Sequence, residues 1–257
     1  MTGTGPQQGP KWVGGYQILG VLGEGGMGTV YRAQQFEPVE REVALKILKL
    51  GMDTVQVVER FRAERQALAV MNHPSVAKVF DAGATESGRP YFVMELVEGV
   101  PLDEFCDRER LDLAERVRLF VQICRAVQHA HQKGVIHRDL KPSNILVAHG
   151  DLVPLPKIID FGIARAVEVD DDGTRLTRAD QMVGTPAYMA PEQIDPADGD
   201  VDTRTDIYAL GVILYQLLTG SRPFEAGTGG SWALWAKALL KDAPKPSARV
   251  AALNLDA

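Results

Sequence analysis

Residues 135–144 read VIHRDLKPSN, a polar loop between an apolar Val-Ile lead-in and the apolar run Ile145-Leu146-Val147. Asp139 stands two residues before Lys141 and five before Asn144. A turn requires one Asx side chain and accepts a proline. Solvation alone would not select an acid, a cation and an amide at these intervals. The loop also lies near the start of a helical half of the chain that follows a strand-rich half, so its purpose depends on both.

Upstream, YQILGVLGEGGMGTVYRAQQ (16–35) places apolar runs on both sides of a glycine cluster, and REVALKIL (41–48) alternates around Lys46, as strands do. A helix is expected from about Asp53, a candidate N-cap, to Met71, with Val58, Phe61, Leu68 and Met71 along one stripe. AKVFDAGAT (77–85) and RPYFVMELV (89–97) read as two more strands, joined by a turn at Ser87-Gly88. Downstream, Asp112 with Glu115 has the form of a capping box for a helix that stops at Gly134. DIYALGVILYQLLTG (206–220) is apolar on nearly every face, so it is expected to be a buried helix capped by Gly220. The expected fold class is α+β in two lobes. Residues 1–15 form a Gly-, Pro- and Gln-rich disordered lead-in, 16–97 a β-rich N-lobe with one main helix, and 98–257 a mainly helical C-lobe.

The 257 residues are 45% hydrophobic and 24% charged, an ordinary globular composition with enough chain for a substantial core. The net charge of −6 argues against a nucleic-acid surface, which would cluster Lys and Arg. No apolar run approaches the ~20 residues of a membrane span, and no signal peptide precedes the fold. A cytoplasmic location is expected, with a longer, membrane-anchored parent left open. Cys106 and Cys124 have no metal-ligand spacing and are expected to be reduced packing residues.

GEGGMGTV (23–30) fits G-x-G-x-x-G-x-V, which alone suits a dinucleotide fold, a phosphate-covering flap or a plain flexible hairpin. A dinucleotide fingerprint opens a helix, whereas Thr29-Val30-Tyr31 are β-formers that lead into a second strand. Lys46, among Val43, Ala44, Leu45 and Ile47, needs a counter-charge. Glu64, ahead of Glu59, offers one from the following helix, either as a functional pair or as a surface salt bridge. Asp160 in DFG (160–162) follows Ile158-Ile159; a carboxylate there suits a hard cation, although the tripeptide alone also fits a turn.

Taken in order, GEGGMGTV, VALK (43–46), HRDLKPSN (137–144), DFG and APE (190–192) resemble the motif set of eukaryotic-type protein kinases, in their bacterial Ser/Thr form, from residue 16 to the C-terminus. The resemblance implies the bilobal protein-kinase fold and transfer of the γ-phosphate of ATP, with Mg²⁺ (Mn²⁺ as a substitute), to Ser/Thr hydroxyls of protein substrates. It implies that Asp139 orients the acceptor hydroxyl and Lys141 balances charge on the phosphoryl group. Lys46 would pair with Glu64 and reach the phosphates, while Asn144 and Asp160 would hold the metal. Gly23, Gly25, Gly26 and Gly28 would cover the phosphates, and Leu22, Val30 and Ala44 would flank the adenine. Met94 would stand as gatekeeper, with Glu95 and Val97 presenting backbone groups and replaceable side chains. Asp206 is either a simple N-cap or an anchor for the catalytic-loop backbone. His137 is expected to pack structurally, and His129 and His131 to sit on a solvated helix face.

By the same resemblance, residues 165–193 form the activation segment. Thr174 and Thr177 are its accessible phosphorylation candidates, and Arg138 is the residue that would pair with a phosphate there. Thr185 is expected to support the substrate-binding loop and is a third candidate. Self-association for trans-autophosphorylation is an option. PKPSARVAALNLDA (244–257) supplies no arginine suited to Glu192, so the C-lobe reads as lacking its last helices. Glu192 should then turn to solvent or find a substitute cation. The alternative function is a catalytically weak or silent binding module on the same fold.

Overall fold

The computed structural model describes residues 11–26, 28–49, 71–148, 153–161, 186–194, 200–224 and 242–252. The helix expected after Asp53, with Glu59 and Glu64, lies outside them, as do Gly162, Thr174, Thr177, Thr185 and the stretch 225–241.

Six antiparallel strands form the first half: β1 (Trp12–Val13), β2 (Tyr16–Glu24), β3 (Gly28–Gln35), β4 (Arg41–Leu48), β5 (Val79–Ala84) and β6 (Pro90–Glu95). Their order in the sheet is β1-β2-β3-β4-β6-β5. Five of the strands, β2 to β6, fall on the segments that the sequence marks as strands. The lead-in is shorter than expected, because Val13 pairs with Tyr16 across a turn at Gly14 and is buried. Gly14 has φ +57°, a conformation that a glycine adopts without strain. A Val-Gly-Gly-Tyr run can therefore form a small hairpin, and Val13 and Tyr16 gain a core by doing so.

Strand alternation decides which side chains face the second half. On β4, Val43, Leu45 and Ile47 join Tyr31, Tyr91 and Val93 in a cluster on one face. Leu48, with Phe92 and Met94 of β6, belongs to the other cluster, which continues through Leu102, Phe105, Leu119, Ile123, Ile145, Ile158 and Ile213. One core thus runs from the sheet into the helical half. Lys46 is in register with Phe92 and Val30, so it shares the face turned toward that core.

The helical half contains α1 (Leu102–Arg108), α2 (Leu113–Gln132), α3 (Pro191–Ile194), α4 (Thr203–Thr219) and α5 (Pro246–Ala252). A small antiparallel sheet, β7 (Val100–Pro101), β8 (Ile145–Ala148) and β9 (Leu155–Ile158), lies beside them. The capping box of α2 is formed in both directions: Glu115 N donates to Asp112 at 2.8 Å and Asp112 N donates to Glu115 at 2.9 Å. Gly220 closes α4 in the left-handed conformation, φ +70°. The N-cap of α4 is Asp202, whose side chain accepts from Arg204 N. Asp206 is therefore one turn inside the helix and is not its cap. Burial on α4 is less complete than its composition suggests: Ile207 is 57% exposed.

Glycine is needed at Gly28, where β3 passes so close to β4 that an added Cβ would collide with the Ile47 carbonyl oxygen. Gly23 has open space around the same position. Gly28→Ala should cost about 1–3 kcal/mol by forcing the strands apart, whereas Gly23→Ala should stay within about 0.5 kcal/mol. Urea unfolding of both variants tests the contrast, and equal losses would contradict it.

Candidate active site

Asp206 organises the catalytic loop. Its carboxylate is fully buried, and it accepts from His137 N and Arg138 N at 2.8 Å each, with His131 Nε2 2.7 Å away. The anchor alternative, rather than the cap, is what the structure shows. Burial by itself would raise the pKa of this carboxyl. The His131 hydrogen bond, the neighbouring His137 and the two backbone N–H groups outweigh burial and hold it below its ordinary value. His137 is fully buried and packs on Phe161 with ring centroids 4.7 Å apart. Its Nδ1 accepts from Asp139 N at 3.2 Å, which leaves Nε2–H to donate to the Ile159 carbonyl at 2.9 Å.

With both neighbours pinned, Arg138 takes φ +70°, and its carbonyl accepts from Gln193 Nε2 at 2.7 Å. Asp139 follows and points its Oδ2 at two donors, Lys141 Nζ at 2.8 Å and Asn144 Nδ2 at 3.1 Å. Asn144 Nδ2 also donates to the Asp139 carbonyl at 2.8 Å, so among the described residues its amide oxygen is the atom left for a ligand. The three residues that stand out in the sequence loop thus form one hydrogen-bonded cluster.

Lys46 and Asp160, far apart in sequence, meet at 2.8 Å between Nζ and Oδ2. Lys46 is 6% exposed, so the ammonium needs this counter-charge. Asp160 sits at φ +62°, just beyond β9. Whether Lys46 also reaches Glu64 lies outside the described residues.

Other expected site residues are placed as follows. Met94 is buried and pairs with Ala44, while Val30 pairs with Lys46 and Val97 is half-buried. Leu22 is 51% exposed, and Gly23, Gly25 and Gly26 are exposed beside it. Beside Lys141, a cleft of about 480 Å³ opens toward Asp103, Glu104 and Asp107 of α1 and Tyr188.

Three expectations need correction. Glu95 does not have an idle side chain: Oε1 receives Lys157 Nζ at 2.6 Å, and Oε2 receives Lys78 N at 3.2 Å. His131 does not lie on a solvated face, because an intermediate position on α2 brings it to Asp206. His129 is also withdrawn from solvent; its ring packs on His73 at 5.5 Å. Glu192 neither turns to solvent nor pairs with a substitute cation among the described residues; half-buried, it accepts from Thr205 Oγ1 at 2.7 Å. Sequence reasoning misplaced His131 and gave Gln193 and Lys157 no role; Gln193 adjoins the APE motif and Lys157 lies three residues before DFG, but nothing in their spacing shows their partners. Both cysteines are free, and burial pushes the Cys106 thiol up to about 11 and raises Cys124, in keeping with packing roles.

A β-rich half carrying a glycine-rich turn and a buried lysine, joined to a helical half carrying an acid-amide loop, has the architecture of the protein kinase class. Residues 16–240 match the protein kinase domain family, and the chain belongs to that family. The relatives are bacterial serine/threonine-protein kinases. Pkn3 of Myxococcus xanthus is 42% identical over 91% of this chain and 42% of its own length. PknB of Mycobacterium tuberculosis is 39% identical over 94% of this chain and 38% of its own length. The chain therefore spans less than half of either relative. A crystal structure of the Mycobacterium tuberculosis PknI kinase domain is 28% identical, with a TM-score of 0.68, over 94% of this chain and 84% of that one. The fold is the bilobal α+β kinase fold, and the chain carries a protein kinase domain, a family that uses ATP and a divalent metal.

Because the folded-state pKa of Asp206 is depressed, its charge contributes stability above the unfolded carboxylate pKa of about 3.9. That contribution is lost as the pH falls through the lower folded value. Asp206→Ala should cost on the order of 3 kcal/mol by orphaning buried donors. Asp206→Asn should show a stability deficit that is constant down to about pH 4 and narrows below it. Chemical denaturation from pH 7 to 3 gives the answer, and a deficit that widens on acidification would refute the role of the ionised carboxylate.

Proposed function

We propose that this domain transfers the γ-phosphoryl group of MgATP to serine and threonine hydroxyls of protein substrates, with Mn²⁺ as a substitute metal. The observation that carries the reading is the meeting of Lys46 and Asp160 at 2.8 Å, next to the loop that clusters Asp139, Lys141 and Asn144. The donor chemistry fits the metal: an Asp160 carboxylate and an Asn144 amide oxygen are hard ligands. Among the described residues no group of three or more His, Cys, Asp or Glu converges. Mg²⁺ is held in that sparing way, by one or two carboxylates together with phosphate oxygens. When bound, the metal neutralises charge on the β- and γ-phosphates.

This chain's residues position and compensate. The Lys46 ammonium, which balances Asp160 directly, is the cation for the α/β-phosphates. Asp139 has both of its donors on Oδ2, so among the described residues Oδ1 is left to accept the acceptor hydroxyl's proton. Lys141, 2.8 Å from that carboxylate, is near enough to offset charge on the transferring group. Gly23, Gly25, Gly26 and Gly28 form the flap over the phosphates, which a hydrogen bond from Gly25 N to the Gly28 carbonyl at 2.9 Å closes on itself, and Leu22, Val30, Ala44, Met94, Glu95 and Val97 flank or border the adenine. Phosphoryl transfer asks for this kind of positioning and charge neutralisation more than for covalent chemistry. We assign the N-lobe to about 16–97 and the C-lobe to the residues from about 98. Free thiols at Cys106 and Cys124 support a reducing, cytoplasmic setting for the domain. Among the described residues no helix is long and apolar enough to cross a membrane.

The direct test is incorporation of radiolabelled phosphate from ATP into a Ser/Thr peptide library. Asp139→Asn should lower turnover by about 10²–10⁴-fold, the scale of a lost general base, with ATP affinity within a few-fold of the parent. A variant that keeps most of its turnover would remove Asp139 from the role.

Control by phosphorylation is expected on Thr174 or Thr177, with Thr185 as a third candidate, the phosphate coming from ATP and a second copy of the chain acting as the kinase in trans. A phosphate there would add about two negative charges for Arg138 to meet. Mass spectrometry after incubation with MgATP should find phosphate between residues 164 and 190. An active preparation with none there would exclude this control.

A further inference from the structure

We infer that Glu95 and Lys157 form a positioning pair that keeps the adenine edge of the site in register with its metal edge. The inference rests on the proposed function, because it assigns work to a contact outside the reacting groups. Glu95 ends β6, directly after Met94, where the backbone would border the adenine. Lys157 lies on β9, three residues before Asp160. One ion pair therefore joins the strand that would hold the base to the strand that delivers the metal ligand.

The contact is built rather than incidental. The pair is short, at 2.6 Å, and the two side chains are only 16% and 26% exposed. An exposed pair would be screened and frayed, and would constrain little. The second carboxylate oxygen of Glu95 accepts from Lys78 N at 3.2 Å, while Glu95 N donates back to the Lys78 carbonyl at 2.8 Å. The segment holding Lys78 is itself stitched to β9, through Ala77 N to Ile158 O and Ile158 N to Ser75 O, each at 2.9 Å. Glu95, Lys78 and Lys157 thus close a triangle of contacts around the strand that leads to Asp160.

The charges also have an order. The large sheet offers a cation at Lys46 and an anion at Glu95. The strand below offers an anion at Asp160 and a cation at Lys157. Two ion pairs of opposite polarity cross between them, so a slip of one strand past the other would bring like charges together. Metal and phosphates compete with the Lys46–Asp160 pair, because both partners are wanted as ligands. Glu95 and Lys157 have no such competitor and retain their link while the site is loaded. Glu95→Gln should fail to replace the carboxylate, since two oxygens are used as acceptors and an amide has only one.

The readout is the gain in ATP affinity that Mg²⁺ confers, measured by calorimetric titration of the full chain with ATP, with and without the metal. Melting temperatures are recorded on the same samples. In Lys157→Met the gain should fall by about fivefold, the lower range for coupling between linked sites, with metal-free ATP affinity unchanged, and in Glu95→Gln the gain should fall by the same factor. Lys157→Arg, which keeps the cation opposite Glu95, should retain most of it. A gain that is unchanged in both Glu95→Gln and Lys157→Met, or that Lys157→Arg loses as fully as Lys157→Met does, would show a contact with no positioning role and overturn the inference. A merely structural pair would lower melting temperature and metal-free affinity together, which also overturns it. A parent chain that binds ATP with no gain from Mg²⁺ would fail at the metal assignment of Asp160 and Asn144, and the inference would fall with it.

Discussion

Asp206 is a carboxylate with no exposed surface, placed one turn inside a buried helix, where an unpaired charge would be severely unfavourable. It is tolerated because three donors converge on it, two of them the backbone N–H groups of His137 and Arg138. That arrangement fixes consecutive peptide groups of an otherwise irregular loop to a largely buried helix of the second half. The left-handed backbone at Arg138 persists because both sides are held: Asp206 takes its N–H, and Gln193 donates to its carbonyl. Everything downstream inherits the constraint. Asp139 is presented at a defined angle, and Lys141 and Asn144 close on it.

The other edge of the site depends on strand alternation. A period of two puts Lys46 on the same sheet face as Leu48, Phe92 and Met94, which looks into the shared core rather than outward. An ammonium on that face requires a buried-side partner, and Asp160 supplies it. The same sheet carries the opposite charge at Glu95, matched by Lys157. The two halves of the molecule are therefore joined by a continuous apolar core and by two ion pairs of opposite sense.

Much of this was legible in the chain because it follows from local rules. The strands at 16–24, 28–35 and 41–48 show in their alternation, and the capping box at Asp112 and Glu115 shows in its spacing. The glycine stops at 134 and 220 are needed for their left-handed backbone. The motif order pointed to a protein kinase, and the family match and bacterial relatives agree with that reading. Where the reading failed, the missing information was a partner distant in sequence. Val13 looked like part of a disordered leader until Tyr16 and the sheet gave it a core. His131 looked like a solvated helical residue because helical phase alone does not show that Asp206 stands beside it. Glu95 looked replaceable, since only its backbone mattered to the expected role.

The sequence by itself determined which residue types stand at each station of the site, and the ends of elements that carry a local signal, at the Asp112–Glu115 capping box and the glycine stops at 134 and 220. Those properties depend on neighbours within a few positions, through backbone sterics, capping and hydrophobic period. Only the tertiary structure decided which charges meet: Lys46 with Asp160, Glu95 with Lys157, His131 with Asp206, and Glu192 with the Thr205 hydroxyl. Electrostatic pairing acts over a few ångströms in space and is indifferent to separation along the chain. A buried charge is satisfied by whichever donor or acceptor the packed core brings within reach, and that choice is made when the layers close.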